Sequence, residues 1–187
     1  ICADLKSRDV SDIFIACHDN FTGLNEAICS IFPKTRNKLC IVHQIRNSCK
    51  FVPYKDRKEV CADLKKIYGA VNLEDSEFAK EEFREKWNKK YPNILKSWDR
   101  NWTELTTFFD FPPEIRKIIY TTNTIEGYHR MVRKFTKSKA VFPTDDSIRK
   151  ALYLCISNIS KKWTQPVRDW KLAYAQFSLL FEDRFPA

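Results

Sequence analysis

Two short apolar runs, Ile13-Phe14-Ile15-Ala16-Cys17 and Leu39-Cys40-Ile41-Val42, bracket one helical stripe, and no comparable strand signal follows Pro53. A run that is apolar at consecutive positions suits a strand buried on both faces. The first run ends at the polar, turn-like His18-Asp19-Asn20. A helix follows, with Thr22 as its expected N-cap and Leu24, Ala27, Ile28, Ile31 and Phe32 on one face, and Pro33 stops it. Strand, helix and strand in about 30 residues make a βαβ unit, whose crossover is almost always right-handed. Two strands form a marginal sheet by themselves, so further strands are expected from upstream of Ile1 or from a partner.

Beyond Pro53 the period is helical. Val60, Leu64, Ile67 and Tyr68 mark one helix, and Phe78, Phe83, Trp87 and Tyr91 a second, with Ser76 as a candidate cap. Pro92 opens a third, carrying Leu95, Trp98, Trp102, Leu105 and Phe109 until Phe111-Pro112-Pro113 breaks it. A short helix from Pro113, an extended or turn segment at Tyr120-Thr121-Thr122-Asn123, and a helix from about Thr124 to Lys137 come next. Phe142-Pro143-Thr144 punctuates, Ile148, Leu152, Cys155 and Ile159 mark a long helix, and Pro166 starts the last one, with Val167, Trp170, Tyr174, Phe177 and Phe181 in phase. The expected class is mainly α with a small β component. Only three glycines occur, against a Gly-rich phosphate loop and against an all-β fold. The longest apolar stretch falls far short of the ~20 residues of a membrane span, and no secretory pattern opens the chain. A start at Ile1-Cys2-Ala3 suggests a piece of something longer.

The net charge is +9, and it is concentrated. Between Ile115 and Thr144 stand Arg116, Lys117, Arg130, Arg133, Lys134, Lys137 and Lys139, with Glu126 as the sole acid. That density points to a polyanion, nucleic acid before an acidic membrane, unless the strip is simply a solvated helix face. Seven cysteines, an odd number without any C-x-x-C pair, read as reduced, mostly buried thiols in a cytosol.

Asp19 closes a buried strand, at the sheet edge where α/β folds bind ligands, although such an acid is also a common turn former. Glu126 opens a helix, with Arg130, Arg133 and Lys137 following on the same face. It either pairs with Arg130 or holds a metal beside cations that grip phosphates. Two carboxylates from separate elements beside a basic strip fit Mg²⁺-assisted phosphoryl chemistry, which normally needs a third acid. Asp4, Asp9 and Asp12 lie too near the chain start to be assigned that place. Cys40-x-x-His43 could open a zinc site with Cys49 and Cys61, but the spacing is not a standard ligand set. Trp87, Trp98 and Trp102 suit a core, with base stacking as the alternative role for one of them.

The segment from Asp19 through Ile28, Phe32-Pro33, and Cys40-Ile41-Val42-His43-Gln44-Ile45-Arg46-Asn47 resembles the Mutator-type bacterial insertion-sequence transposases. So do Tyr91-Pro92, Trp98, Trp102, Phe108-Phe109-x-Phe111-Pro112, Ile115-Arg116-Lys117, and above all Ile119-Tyr120-Thr121-Thr122-Asn123-Thr124-Ile125-Glu126 with Arg130 and Val132-Arg133-Lys134. The resemblance implies an RNase H-like α/β core interrupted by an all-helical insertion. Residues 1–50 would be the later half of that core, 51–111 the insertion, and 112–187 the return with the catalytic-glutamate helix. It implies a DDE active site with two Mg²⁺ (or Mn²⁺) ions that cuts and joins DNA. Asp19 matches the second acid and Glu126 the closing glutamate. Cys40 and His43 match a structural Cys/Asp-x-x-His signature, and Arg116, Arg130, Arg133, Lys134 and Lys137 would face DNA. The first acid belongs upstream of Ile1, so the 187 residues alone are expected to be inactive. His129 stands where such proteins usually have Asn. The implied partners are transposon-end and target DNA and further copies of the chain, with no membrane, in a bacterial cytoplasm at the nucleoid. The alternatives are a noncatalytic DNA-binding remnant and a helical protein-interaction domain.

Overall fold

In the computed structural model, the described residues are 1–121, 124–137, 141–164 and 169–185, with only the backbone described at 121 and 124–126. The expected extended segment at Thr122-Asn123, the cation Lys139 and the helix start at Pro166-Val167 lie outside them.

Helix α1 (Cys2–Ser7) leads into strand β1 (Ile15–His18), helix α2 (Leu24–Ile31), strand β2 (Arg36–Leu39) and helix α3 (Ile41–Cys49). The strands are parallel, with Ile15 opposite Arg36 and His18 opposite Leu39. The class is therefore mainly α with a small β component, as the apolar runs predict. Their boundaries differ. The run at Leu39–Val42 is not a strand: β2 ends at Leu39, and Ile41 already begins α3, which buries Ile41, Gln44 and Ser48 at helical spacing. A few consecutive apolar residues look the same in a buried strand and in the first turn of a buried helix. The cap of α2 is Gly23 rather than Thr22, with φ of 80°, a left-handed backbone that a β-branched residue adopts only at a cost.

Helices α4 (Tyr54–Tyr68), α5 (Leu73–Trp87), α6 (Pro92–Arg100) and α7 (Trp102–Thr106), with a 3-10 turn at Thr107–Asp110, follow. Their apolar faces join Leu39 and Ile41 in one core, in which Val60, Leu64, Phe83, Ile94, Leu95, Trp98 and Leu105 are buried. Asn72, not Ser76, caps α5 by accepting the Asp75 N–H at 2.8 Å. Ser76 is buried and donates to the Ile67 carbonyl at 2.8 Å, fastening α5 to the end of α4. The third helical stripe is broken at Asn101 into α6 and α7.

Helix α8 (Pro113–Thr121) extends through Tyr120 and Thr121, which the sequence leaves as a turn. Then come α9 (Thr124–Thr136), α10 (Asp145–Ser160), opened by a Thr144–Ser147 capping box, and α11 (Trp170–Leu180). A second core forms where Phe111, Ile115 and Phe181 meet Phe14, Ile15 and Phe177, so α8 and α11 cover the start of β1. Among the described residues no helix is long and apolar enough to cross a membrane.

Candidate functional site

Strand β1 delivers His18 and Asp19 to the carboxyl edge of the sheet. The His18 Nδ1–H donates to the Asp19 carbonyl at 2.8 Å, and the other ring nitrogen, Nε2, is buried without a partner. The next residue is anchored through its side chain. The Asn20 amide donates to Asn101 at 3.0 Å, and Asn101 donates to the Gln44 side-chain oxygen at 3.1 Å. Gln44 in turn donates to Ser97 at 3.0 Å, and Ser48 takes the Trp98 indole N–H at 2.9 Å. This mostly buried polar chain runs from the loop after β1 through α3 to the junction of α6 and α7. A satisfied network of this kind fixes geometry, because each unmade bond would leave a buried polar atom bare.

Helix α3 starts beside the same edge. The Cys40 N–H donates to the His18 carbonyl at 2.8 Å, continuing the ladder one step beyond the strands. Cys40 therefore caps α3 next to Asp19, and His43 and Arg46 fall on the helix face toward it. Opposite, α8 contributes Ile118, Ile119 and Tyr120, and α9 contributes Tyr128, His129, Arg130 and Arg133. Together these elements enclose an open cavity of about 1220 Å³ lined by Asp19, Cys40, His43, Arg46, Arg130 and Arg133, among others. Three arginines face one carboxylate among its described lining residues. Such a wall attracts a polyanion.

Glu126 lies on α9 one turn before Arg130, and its side chain falls outside the described residues. Lys134 and Lys137 are exposed at the far end of α9 and at its C-terminal turn, outside the cavity lining. Arg116 is also absent from the lining. Its guanidinium donates to the Val71 carbonyl at 3.0 Å and covers the Phe108 and Phe109 rings. Trp87 and Trp98 are buried in the core, and Trp102 is half-buried beneath the Lys80 ammonium at 3.9 Å. The tryptophan that does reach the cavity is Trp163, 54% exposed and 6.3 Å from the Tyr128 ring. Sequence reasoning passes over Trp163 and Arg46. Arg46 could have been found from its i+3 spacing after His43, whereas Trp163 lies past the end of α10, where periodicity carries no message.

For a metal the described donors are sparse. No group of three His, Cys, Asp or Glu side chains among the described residues is arranged to hold an ion. Cys49 and Cys61 are in contact with each other, Sγ to Sγ 3.1 Å, rather than with Cys40 and His43. Asp19 is the one described carboxylate at the cavity, and its hard oxygens fit Mg²⁺ better than zinc. Behind the site Lys38 is buried, its ammonium 4.8 Å over the Phe108 ring, and desolvation pulls its pKa below the ordinary lysine value.

The family described as "Transposase, Mutator family" matches residues 1–166. A probable transposase for insertion sequence element ISRM3-like of Sinorhizobium fredii is 44% identical over 183 residues, 97% of this chain and 46% of the relative. The transposase for insertion sequence element ISRM3 of Rhizobium meliloti shows the same identity and the same two coverages. A probable insertion-sequence transposase of Corynebacterium diphtheriae is 35% identical over 99% of this chain and 60% of its own length. The chain thus spans about half the length of the first two of these curated relatives. It belongs to the Mutator family of transposases.

Proposed function

We propose that these residues form the later part of a DDE-type transposase site that handles DNA phosphodiesters, on an RNase H-like core with a helical insertion. The observation that carries the reading is the cavity that gathers Asp19 from the end of β1 and Arg130 and Arg133 from α9, far apart in the sequence. In this proposal Asp19 and Glu126 hold Mg²⁺ or Mn²⁺ together with an acid expected upstream of Ile1. When bound, such ions activate the attacking oxygen and neutralise the departing one. The chain's own residues do the rest. Arg130 and Arg133 grip phosphate oxygens, and Lys134 and Lys137 extend that grip along α9. The Asn20–Asn101 bond holds the turn that presents the Asp19 carboxylate. His18 offers a buried nitrogen beside it.

The test is anisotropy of a labelled DNA duplex titrated with the 187-residue chain over a range of salt. Affinity is expected to fall steeply with salt, and Arg130→Ala and Arg133→Ala should each lower the logarithmic slope by about 1. Affinity that ignores salt and both substitutions would favour a protein-interaction domain instead.

A further inference from the structure

Two thiols outside the cavity meet at the joint between α3 and α4. Cys49 is the last residue of α3 and Cys61 lies on the second turn of α4. Their sulfurs are 3.1 Å apart, and both residues are half-buried. A covalent S–S bond is about 2.05 Å long, so roughly 1 Å of closure separates contact from bond. That movement is available because Cys49 sits at a helix end, where the chain leaves the helix through Lys50, Phe51 and Val52 before Pro53. Among the described residues this is the pair of thiols joined by a sulfur–sulfur hydrogen bond. Cys29 is instead bound to Asn25 and Asn37, and Cys155 is buried in α10.

We propose that Cys49 and Cys61 are a reversible oxidation site, forming an intramolecular disulfide by exchange with a low-molecular-weight disulfide such as oxidised glutathione. The thiolate of one cysteine attacks a glutathione sulfur. A protein–glutathione mixed disulfide forms and one glutathione thiolate leaves. The second cysteine, as thiolate, then attacks the protein sulfur of the mixed disulfide and expels the second glutathione. Two protein thiols lose two protons and two electrons, and one glutathione disulfide becomes two thiols. The 3.1 Å contact makes the second step fast relative to the first. Burial, reinforced by the Cys61 thiol, pushes the Cys49 thiol up to about 11, so little of it is thiolate at neutrality and exchange speeds up as pH rises. The bond would tie α3, which carries His43 and Arg46 to the cavity, to the first helix of the helical segment. The inference is independent of what the cavity binds.

The experiment uses the full chain with oxidised glutathione at pH 8, followed by alkylation of remaining thiols and peptide mapping by mass spectrometry. Two of the seven free thiols should disappear, with a peptide cross-linked between Cys49 and Cys61 that dithiothreitol releases. Cys61→Ser should stop at a glutathione adduct on Cys49, and Cys49→Ser at an adduct on Cys61 or at no reaction. A wild-type chain that keeps all its thiols, accumulates a stable adduct, or cross-links a different pair overturns the proposal.

Discussion

Asp63 shows how a single side chain can hold a charge that its surroundings disfavour. The residue is buried at 8% exposure, which by itself would raise its carboxyl pKa. Lys86 at 2.7 Å, the Trp87 indole N–H at 2.9 Å and Lys66 at 3.0 Å outweigh that, and the carboxyl titrates at about 2. The folded pKa lies below the unfolded value of ~3.9, so the stabilisation is complete above about pH 4 and is lost as pH falls through 2. Both lysines are about half exposed, so screening leaves on the order of 1–2 kcal/mol. Asp63→Asn keeps an acceptor for Trp87 and removes the charge. It should lower stability by that amount at pH 7 and by only a small fraction of it at pH 2, read from urea midpoints at the two pH values. An equal loss at both would mean that packing, not charge, sets the contribution of Asp63.

At the scale of elements, Asn101 is the residue on which several helices depend. Helical phase over Leu95, Trp98, Trp102 and Leu105 reads as one continuous stripe, yet the chain divides at Asn101 into α6 and α7. What divides it is tertiary. The Asn101 side chain is buried at 6% exposure and used twice, accepting from Asn20 and donating to Gln44. No local pattern reveals a hydrogen bond to a residue 81 positions away. The same limit explains Leu39–Val42, whose apolar run fits strand and helix equally, and Ser76, whose hydroxyl serves the neighbouring helix instead of its own N-terminus. By contrast, Pro92 is a local signal, and α6 begins where it predicts. Asn101→Ala would strip Gln44 of a donor and leave the Asn20 amide free, costing about 1–3 kcal/mol. Asn101→Asp keeps an acceptor for Asn20 but buries a charge whose second oxygen faces the Gln44 oxygen, so it should cost at least as much. Denaturant midpoints give both values, and a neutral Asn101→Ala would show that water replaces the network without loss.

Across the whole molecule the chain's ends are brought together by one guanidinium. Arg184 makes a paired contact with Asp12, Nε to one oxygen at 2.7 Å and an Nη to the other at 2.8 Å, and reaches the Lys34 and Ile13 carbonyls at 2.7 and 3.0 Å. Its planar group lies over Phe14 and Phe181, each about 5.1 Å away. Those two rings stack 4.8 Å apart in the core that seats β1 against α11. Asp19, Arg130 and Arg133 of the cavity wall could be singled out from the sequence, because each stands in a local segment. The closing of β1, α3, α8 and α9 around one cavity could not, because it depends on contacts such as this one between residues 172 positions apart. The Asp12 carboxyl is held below the usual range by its bond to Arg184, so the clamp holds above about pH 4 and weakens as acid protonates Asp12. Arg184→Met keeps much of the side chain's cover of the two rings and removes every polar bond. It should cost about 2–4 kcal/mol at pH 7, since it strands a partly buried carboxylate and two carbonyls. The double variant Arg184→Met, Asp12→Asn should recover part of that loss, because no unpaired charge remains. If the double variant is no more stable than the single one, the rings and the carbonyl contacts, not the ion pair, hold β1 in place beneath the cavity.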